Sequence, residues 1–116
     1  MLTLPYPPSV NSYWGFKGSH RYLTEKAKSF KQEVSIAYKN SKHKGFGKDR
    51  LKVHIVLHAP DRRIRDLDNS IKSLFDAVCQ AGVFEDDSQI DEISVKRGGI
   101  TKGGVCHIFI ENIALL

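Results

Sequence analysis

Cysteine is scarce in this 116-residue sequence, which contains only Cys79 and Cys106. Neither belongs to a C-x-x-C motif or to a cysteine and histidine spacing that binds zinc, so a structural zinc site is not expected. We interpret both as reduced core residues of a cytosolic protein. Long apolar runs are also missing, because no stretch approaches the roughly 20 residues of a membrane-spanning helix. The N-terminus lacks the basic and apolar regions of a signal peptide, so we expect no membrane partner.

Charge is unevenly distributed along the chain. The segment from Lys17 to Lys52 holds 11 of the 18 lysines and arginines but only 3 of the 13 acidic residues. A basic half beside an acidic half favours a polyanion bound near a metal ion, although a solvated, lysine-rich helix explains the basic half equally well. With 41% apolar and 27% charged residues, the composition is that of a folded protein, and the length predicts a single domain over 1–116.

Hydrophobic periodicity predicts the element order β-α-β-α-β-β and therefore one α/β domain with a small mixed sheet packed by helices. The predicted strands are 1–4, 51–58, 89–97 and 104–112, and the predicted helices are 24–41 and 68–81. We expect Thr24 to cap the first helix and Gly82 to follow the second. A loop is expected to continue beyond residue 5 through Gly18, and the last two strands are expected to pair as a hairpin.

Paired carboxylates directly follow a cluster of arginines in the segment Asp61–Asn69, which reads DRRIRDLDN. Asp66 and Asp68 are two residues apart, and a second acidic pair follows at Asp86 and Asp87. Clustered carboxylates repel one another unless a cation neutralises them. Hard oxygen ligands without a nearby histidine or thiolate suit Mg²⁺, or Mn²⁺ as a substitute. Acids that hold such an ion within a basic surface are what metal-assisted phosphodiester chemistry requires.

Five short motifs carry a resemblance that covers about residues 4–110. They are P-P-S-x-N-x-Y at 7–13, D-R-R-x-R-D-L-D-N at 61–69, Lys72, D-D at 86–87 and T-K-G-G at 101–104. In this order and at this spacing they resemble the RusA family of Holliday junction resolvases, small endodeoxyribonucleases of bacteria and their phages. The resemblance implies a RusA-like α/β fold and a role in DNA recombination and repair. It also implies the cytoplasm of a bacterial or phage-infected cell as the location.

The same resemblance implies which residues act. It assigns metal binding to Asp66, Asp68 and Asp87, with Asp87 preferred to Asp86 on register alone, and it makes Lys72 an essential lysine. The ammonium of Lys72 would either stabilise charge on the phosphate or orient the attacking water, and the sequence does not choose. The implied reaction is a pair of symmetric, Mg²⁺-dependent nicks in four-way junction DNA. A two-fold junction is matched most simply by a two-fold homodimer.

Several residues keep two interpretations. The DNA-contact candidates are Arg62, Arg63, Arg65, Lys96 and Lys102. The arginines either bind phosphates or pair with the aspartates, and the two lysines are equally compatible with solvated positions. Asp68 is also a possible helix N-cap. For Trp14 and Phe16 we favour core packing over stacking on exposed bases.

Two alternative functions remain at this stage. One is a junction-binding module without catalytic activity, and the other is a different Mg²⁺-dependent nuclease, including one that acts on RNA. A cleavage assay distinguishes the inactive binding module from a junction resolvase. Competition between junction DNA, linear duplex and RNA distinguishes a different nuclease from a junction resolvase. Salt dependence does not discriminate among them, because phosphate contacts weaken with salt in every case.

Overall fold

A four-stranded mixed sheet with two α-helices packed against its buried face forms the centre of the protein. The computed structural model describes residues 1–113, so residues 114–116 of the predicted domain lie outside it. The elements are β1 (Leu2–Leu4), α1 (Val10–Tyr13), β2 (Trp14–Lys17), β3 (His20–Leu23), α2 (Glu25–Ser41), β4 (Leu51–His58), α3 (Ile71–Ala81), β5 (Ile90–Arg97) and β6 (Val105–Asn112). Short 3₁₀-helices at Leu67–Ser70 and Asp87–Gln89 precede α3 and β5. The α/β class and the mixed sheet are confirmed.

The central strand is β4, because the strand order in the sheet is β1-β6-β4-β5. β5 runs parallel to β4, whereas β6 runs antiparallel to both β4 and β1. The predicted hairpin between the last two strands is therefore wrong. The connection between them crosses the end of β4, where Gly98 and Thr101 donate backbone hydrogen bonds to Leu57 and Ala59. β4 takes the central position because alternate side chains along it are fully buried and need neighbouring strands on both sides.

The two long helices begin and end close to the predicted positions. Thr24 caps α2 through its side-chain oxygen, which accepts a hydrogen bond from the backbone N–H of Ala27 at 3.2 Å. Gly82 ends α3 with φ of 95°, a left-handed conformation that favours glycine. The predicted capping role of Asp68 is wrong, because Asp68 lies inside the 3₁₀-helix and not at a cap position. No helix among residues 1–113 is long and apolar enough to cross a membrane.

The segment between β1 and α2 is more regular than the predicted loop. It contains α1 and an antiparallel hairpin of β2 and β3, which forms a separate two-stranded sheet. Elements of four residues are too short to produce a detectable hydrophobic period, and the glycines in this segment resemble loop residues. The favoured core position of Phe16 is wrong, since 67% of this residue is exposed. Trp14 is half-buried at the base of the hairpin.

Candidate active site

The arginine-rich loop that follows β4 is organised around Asp61. The guanidinium of Arg65 lies 2.7 Å from a carboxylate oxygen of Asp61, and the backbone N–H of Arg63 donates to the same oxygen at 3.0 Å. Hydrogen bonds from Arg65 and Arg63 lower the pKa of the Asp61 carboxyl to about 2. Arg63 and Arg65 thus pair with Asp61. They pair with neither Asp66 nor Asp68, the two carboxylates of the D-x-D motif. Arg62 is exposed and forms no ion pair within residues 1–113.

The D-x-D motif occupies the transition from this loop into the 3₁₀-helix before α3. Asp66 has an extended backbone, and its carbonyl accepts a hydrogen bond from the N–H of Asn69 at 3.3 Å. Leu67 packs against the hydrophobic core, as the alternation of the motif predicts, while Asp66 and Asp68 are both exposed. Neither carboxylate forms an ion pair in the described part of the chain. Both are therefore open to an external cation.

One face of α3 continues from Asp68 through Lys72 and Asp76, which follow at intervals of one helical turn. Asp76 accepts hydrogen bonds from the hydroxyl of Tyr13 and from Lys31, whose Nζ lies 2.9 Å away. The side chain of Lys31 is only 14% exposed, so this lysine of α2 is packed against α3 and is not solvated. Burial raises the pKa of the Asp76 carboxyl, yet the two hydrogen bonds and the nearby lysine charges outweigh it and lower the pKa.

The second acidic pair lies in the turn between α3 and β5, where the two aspartates have different surroundings. The carboxylate of Asp86 accepts a hydrogen bond from the backbone N–H of Ser88 at 3.0 Å and caps the short 3₁₀-helix. Asp87 is exposed, its side chain forms no hydrogen bond within residues 1–113, and its backbone N–H bonds to Cys79. Burial and the nearby aspartates raise the pKa of the Cys79 thiol to about 11. The Cys79 thiol therefore stays protonated at neutral pH.

Gln89 holds this acidic turn in place, although it belongs to none of the sequence motifs. The side chain is 5% exposed. Its amide oxygen accepts hydrogen bonds from the N–H groups of Glu85 and Asp86 at 3.0 and 2.9 Å. Its amide nitrogen donates to the carbonyls of Gly47 and Asp49 at 3.0 and 2.7 Å. The sequence shows only that a glutamine lies two residues after the D-D pair. Its partners, Gly47 and Asp49, lie about 40 positions earlier, so sequence spacing does not reveal them.

These groups lie around the outer face of α3 without forming a closed cluster. The charge of Lys72 contributes to lowering the pKa values of both Asp76 and Asp86, which places the acidic turn beside this helix. Within residues 1–113, no three histidine, cysteine, aspartate or glutamate side chains converge closely enough to hold a metal ion. Asp66, Asp68 and Asp87 therefore stay a predicted ligand set.

An open groove of about 910 Å³ extends from Asp66 along the start of α2. Arg63 and Arg65 line it together with Lys26, and the proline-rich loop at 5–8 forms another wall. Glu25 and Glu33 line the groove as well, so it carries charges of both signs, and only its cationic residues suit a phosphodiester backbone.

The model of the family described as Endodeoxyribonuclease RusA matches residues 5–111 of this sequence. The chain belongs to the RusA family. Over 112 residues it is 43% identical to the crossover junction endodeoxyribonuclease of Enterobacteria phage HK97, covering 97% of this chain and 93% of the relative. It is 36% identical over 109 residues to the proteins of the same name from Escherichia coli K12 and Enterobacteria phage 82, covering 94% of this chain and 91% of each relative. The predicted family and the predicted nuclease function are confirmed.

The remaining basic candidates lie on the sheet and in its last connection. Lys96 is exposed on β5, and Lys102 is exposed in the turn before β6. Gly103 lines the groove beside Asp66, so Lys102 is next in the chain to a residue of that wall. Contact of either lysine with DNA stays a prediction for this RusA family member.

Proposed function

We propose that this protein hydrolyses four-way DNA junctions by paired symmetric nicks, in DNA recombination and repair, within the cytoplasm of a bacterial or phage-infected cell. The observation that carries the proposal is that Asp61 is paired with arginines, whereas Asp66 and Asp68, just before α3, are unpaired in the described residues. In the arginine-rich loop, Arg65 pairs with Asp61 at 2.7 Å and not with Asp66 or Asp68. Both carboxylates of the D-x-D motif therefore remain free just before the helix that carries Lys72. Free carboxylates beside cationic side chains suit a metal ion and a phosphate at the same place.

The donor chemistry fits Mg²⁺, with Mn²⁺ as a substitute. Asp66, Asp68 and Asp87 would hold the ion, and all three are exposed oxygen donors of the kind that Mg²⁺ prefers. When bound, the ion supplies polarisation of the scissile phosphate and a lowered pKa for the attacking water.

The roles of the protein groups follow from their surroundings. The carboxylate of Asp86 is already used to cap the 3₁₀-helix, which supports Asp87 as the metal ligand. Lys72 lies one helical turn after Asp68 and is exposed on α3, where its ammonium would either stabilise charge on the phosphate or orient water. Arg62, Lys96 and Lys102 are exposed and serve as phosphate contacts that orient the junction.

A homodimer completes the proposal. Each active site cuts one strand, and a four-way junction presents two equivalent strands related by two-fold symmetry. Two copies related by the same symmetry place one site at each strand. The mass in solution at the concentration used for cleavage checks this point, and a monomeric mass in the active protein would contradict it.

The deciding experiment is cleavage of an end-labelled four-way junction with Mg²⁺, Mn²⁺ or EDTA. We expect paired nicks with 5′ phosphate and 3′ hydroxyl ends in either metal and none in EDTA. Asp68→Asn should bind the junction normally and cleave roughly 100-fold more slowly or worse, because several kcal/mol of transition-state stabilisation are removed. Junction binding without cleavage by the wild type would indicate a binding module, and preferred cleavage of RNA would indicate another nuclease.

Asp86→Asn and Asp87→Asn form a matched pair for the ligand assignment. Asparagine caps a helix about as well as aspartate, so Asp86→Asn should leave the turn and the cleavage rate nearly unchanged. Asp87→Asn should reduce cleavage as strongly as Asp68→Asn. A larger loss from Asp86→Asn would reverse the assignment.

A further inference from the structure

The hairpin of β2 and β3 exposes aromatic side chains that the core does not use. Its strands are joined by the two-residue turn at Gly18 and Ser19, and it pairs with no strand of the main sheet in the described part of the chain. Phe16 is 67% exposed and Tyr22 is 44% exposed. An exposed phenylalanine near the tip of a two-stranded hairpin contributes little to folding, and its ring is available to a ligand.

The strand register collects flat π surfaces on one side of the hairpin. Trp14 and Phe16 are two residues apart and lie on the same face of β2. Arg21 of β3 is directly opposite Phe16, so its side chain lies on this face as well. The guanidinium of Arg21 lies over the indole of Trp14, 3.9 Å from the ring centroid. An aromatic ring, a guanidinium plane and a second aromatic ring on one surface are the groups on which unpaired bases stack.

The charge of the hairpin also fits a nucleic acid. Residues 14–24 contain Lys17, His20 and Arg21 but no aspartate or glutamate. A phosphate backbone that passes the tip would meet only cationic or neutral side chains. Attraction of the backbone and stacking of the bases would therefore act together at this element.

The base of the hairpin is fixed to the helix that carries Lys72. Tyr13, the residue before β2, is 3% exposed and donates a hydrogen bond to Asp76 of α3. Thr24 is the residue after β3, and its backbone N–H donates to the carbonyl of Tyr13 at 3.1 Å. Its hydroxyl donates to the backbone carbonyl of Ser12 at 2.5 Å. Four-residue strands then extend about 13 Å from this anchor.

We propose that the hairpin places Phe16 against unstacked bases at the crossover of a four-way junction, with Trp14 and Arg21 as a second stacking surface. The inference rests on the proposed junction cleavage. Bases at a crossover are not part of a continuous stack, so displacing them costs less free energy than displacing bases within a duplex. An apolar side chain that inserts between bases therefore binds most favourably at a crossover. The hairpin is thus the element that distinguishes branched from linear DNA, while the arginine loop and Lys72 act on the phosphate.

The test compares Phe16→Ala with Phe16→Trp, which retains an aromatic ring, and with Phe109→Ala, which removes another exposed phenylalanine from β6. Junctions carry 2-aminopurine at the crossover, and binding is measured in EDTA so that no strand is cut. The wild type and Phe16→Trp should increase the 2-aminopurine fluorescence on binding. Phe16→Ala should remove most of that increase and weaken junction binding roughly 10-fold, with less than about a two-fold change for linear duplex.

Several results would overturn the inference. An unchanged fluorescence increase in Phe16→Ala would show that the hairpin does not contact the crossover bases. Equal weakening of junction and linear duplex binding would show a general DNA contact without structural selectivity. A change in the mass of the protein in solution on Phe16→Ala would assign the hairpin to contact between copies of the chain. If the wild type neither binds nor cuts junctions, the proposed function fails, and with it this extension.

Discussion

Gln89→Ala tests whether the acidic turn is held by a single buried amide. The substitution removes four hydrogen bonds with lengths from 2.7 to 3.0 Å. At about 0.5–1.5 kcal/mol each, their sum is roughly 2–6 kcal/mol. Water reaches part of the vacated space, because Gly47 and Asp49 are exposed, so we expect the lower part of that range, about 2–3 kcal/mol. For a domain of this size that loss lowers Tm by roughly 10 °C.

The same substitution should affect catalysis separately from stability. Loss of Gln89 frees the backbone that positions Asp87, and small displacements of a catalytic group reduce rates strongly. We expect cleavage at 20 °C to fall at least roughly 10-fold, while junction binding changes less than about two-fold. Gln80→Ala is the matched control, since Gln80 is an exposed glutamine on α3. Equal Tm and equal cleavage rates for the two variants, compared at one protein concentration by calorimetry and single-turnover kinetics, would refute the reasoning.

Three further outcomes are expected. Thr24→Ala should lower the free energy of unfolding by about 1 kcal/mol in urea denaturation, because the α2 cap is lost, and Thr24→Ser should restore it; an equal loss in Thr24→Ser would contradict a capping role. Tyr13→Phe should cost about 1 kcal/mol and raise the pKa of Asp76 in a carboxyl NMR titration, and an unmoved titration would exclude the hydrogen bond. Asp61 should titrate near pH 2, below its unfolded value of about 3.9. Its stabilising contribution is then complete above about pH 4 and lost as pH falls towards 2, and a midpoint near 4 would contradict the Arg65 pairing.

The long elements could be predicted because each carries a strong local signal. In α2, the apolar positions Ala27, Phe30 and Val34 recur at helical spacing, and all three are buried. In β4, alternation alone identifies the buried side chains, which include Ile55 and Leu57. Strand order was not predictable in the same way. Whether β6 pairs with β5 or with β4 depends on which strand needs two neighbours, and this is a property of the assembled core.

The candidate site shows the same division between local and distant information. The D-x-D motif and Lys72 are close in sequence, so helical spacing predicts their common face. Tyr13 meets Asp76 across 63 positions, and Gln89 meets Gly47 across 42. No periodicity connects such pairs. The hairpin was missed for another reason: two four-residue strands with an exposed aromatic face lack the buried alternation by which strands are recognised.

The distribution of satisfied and unsatisfied charges supports the proposed site. The fold supplies Asp61 with arginines, Asp76 with a tyrosine and a lysine, and Asp86 with a backbone N–H. The three predicted ligands receive no ion pair within residues 1–113, although basic residues are numerous nearby. All three carboxylates are exposed and therefore accessible to a divalent cation, although they do not converge on one point within the described residues. The pattern expected for a metal-dependent nuclease is one in which structural acids are paired and catalytic acids are left open to the metal ion.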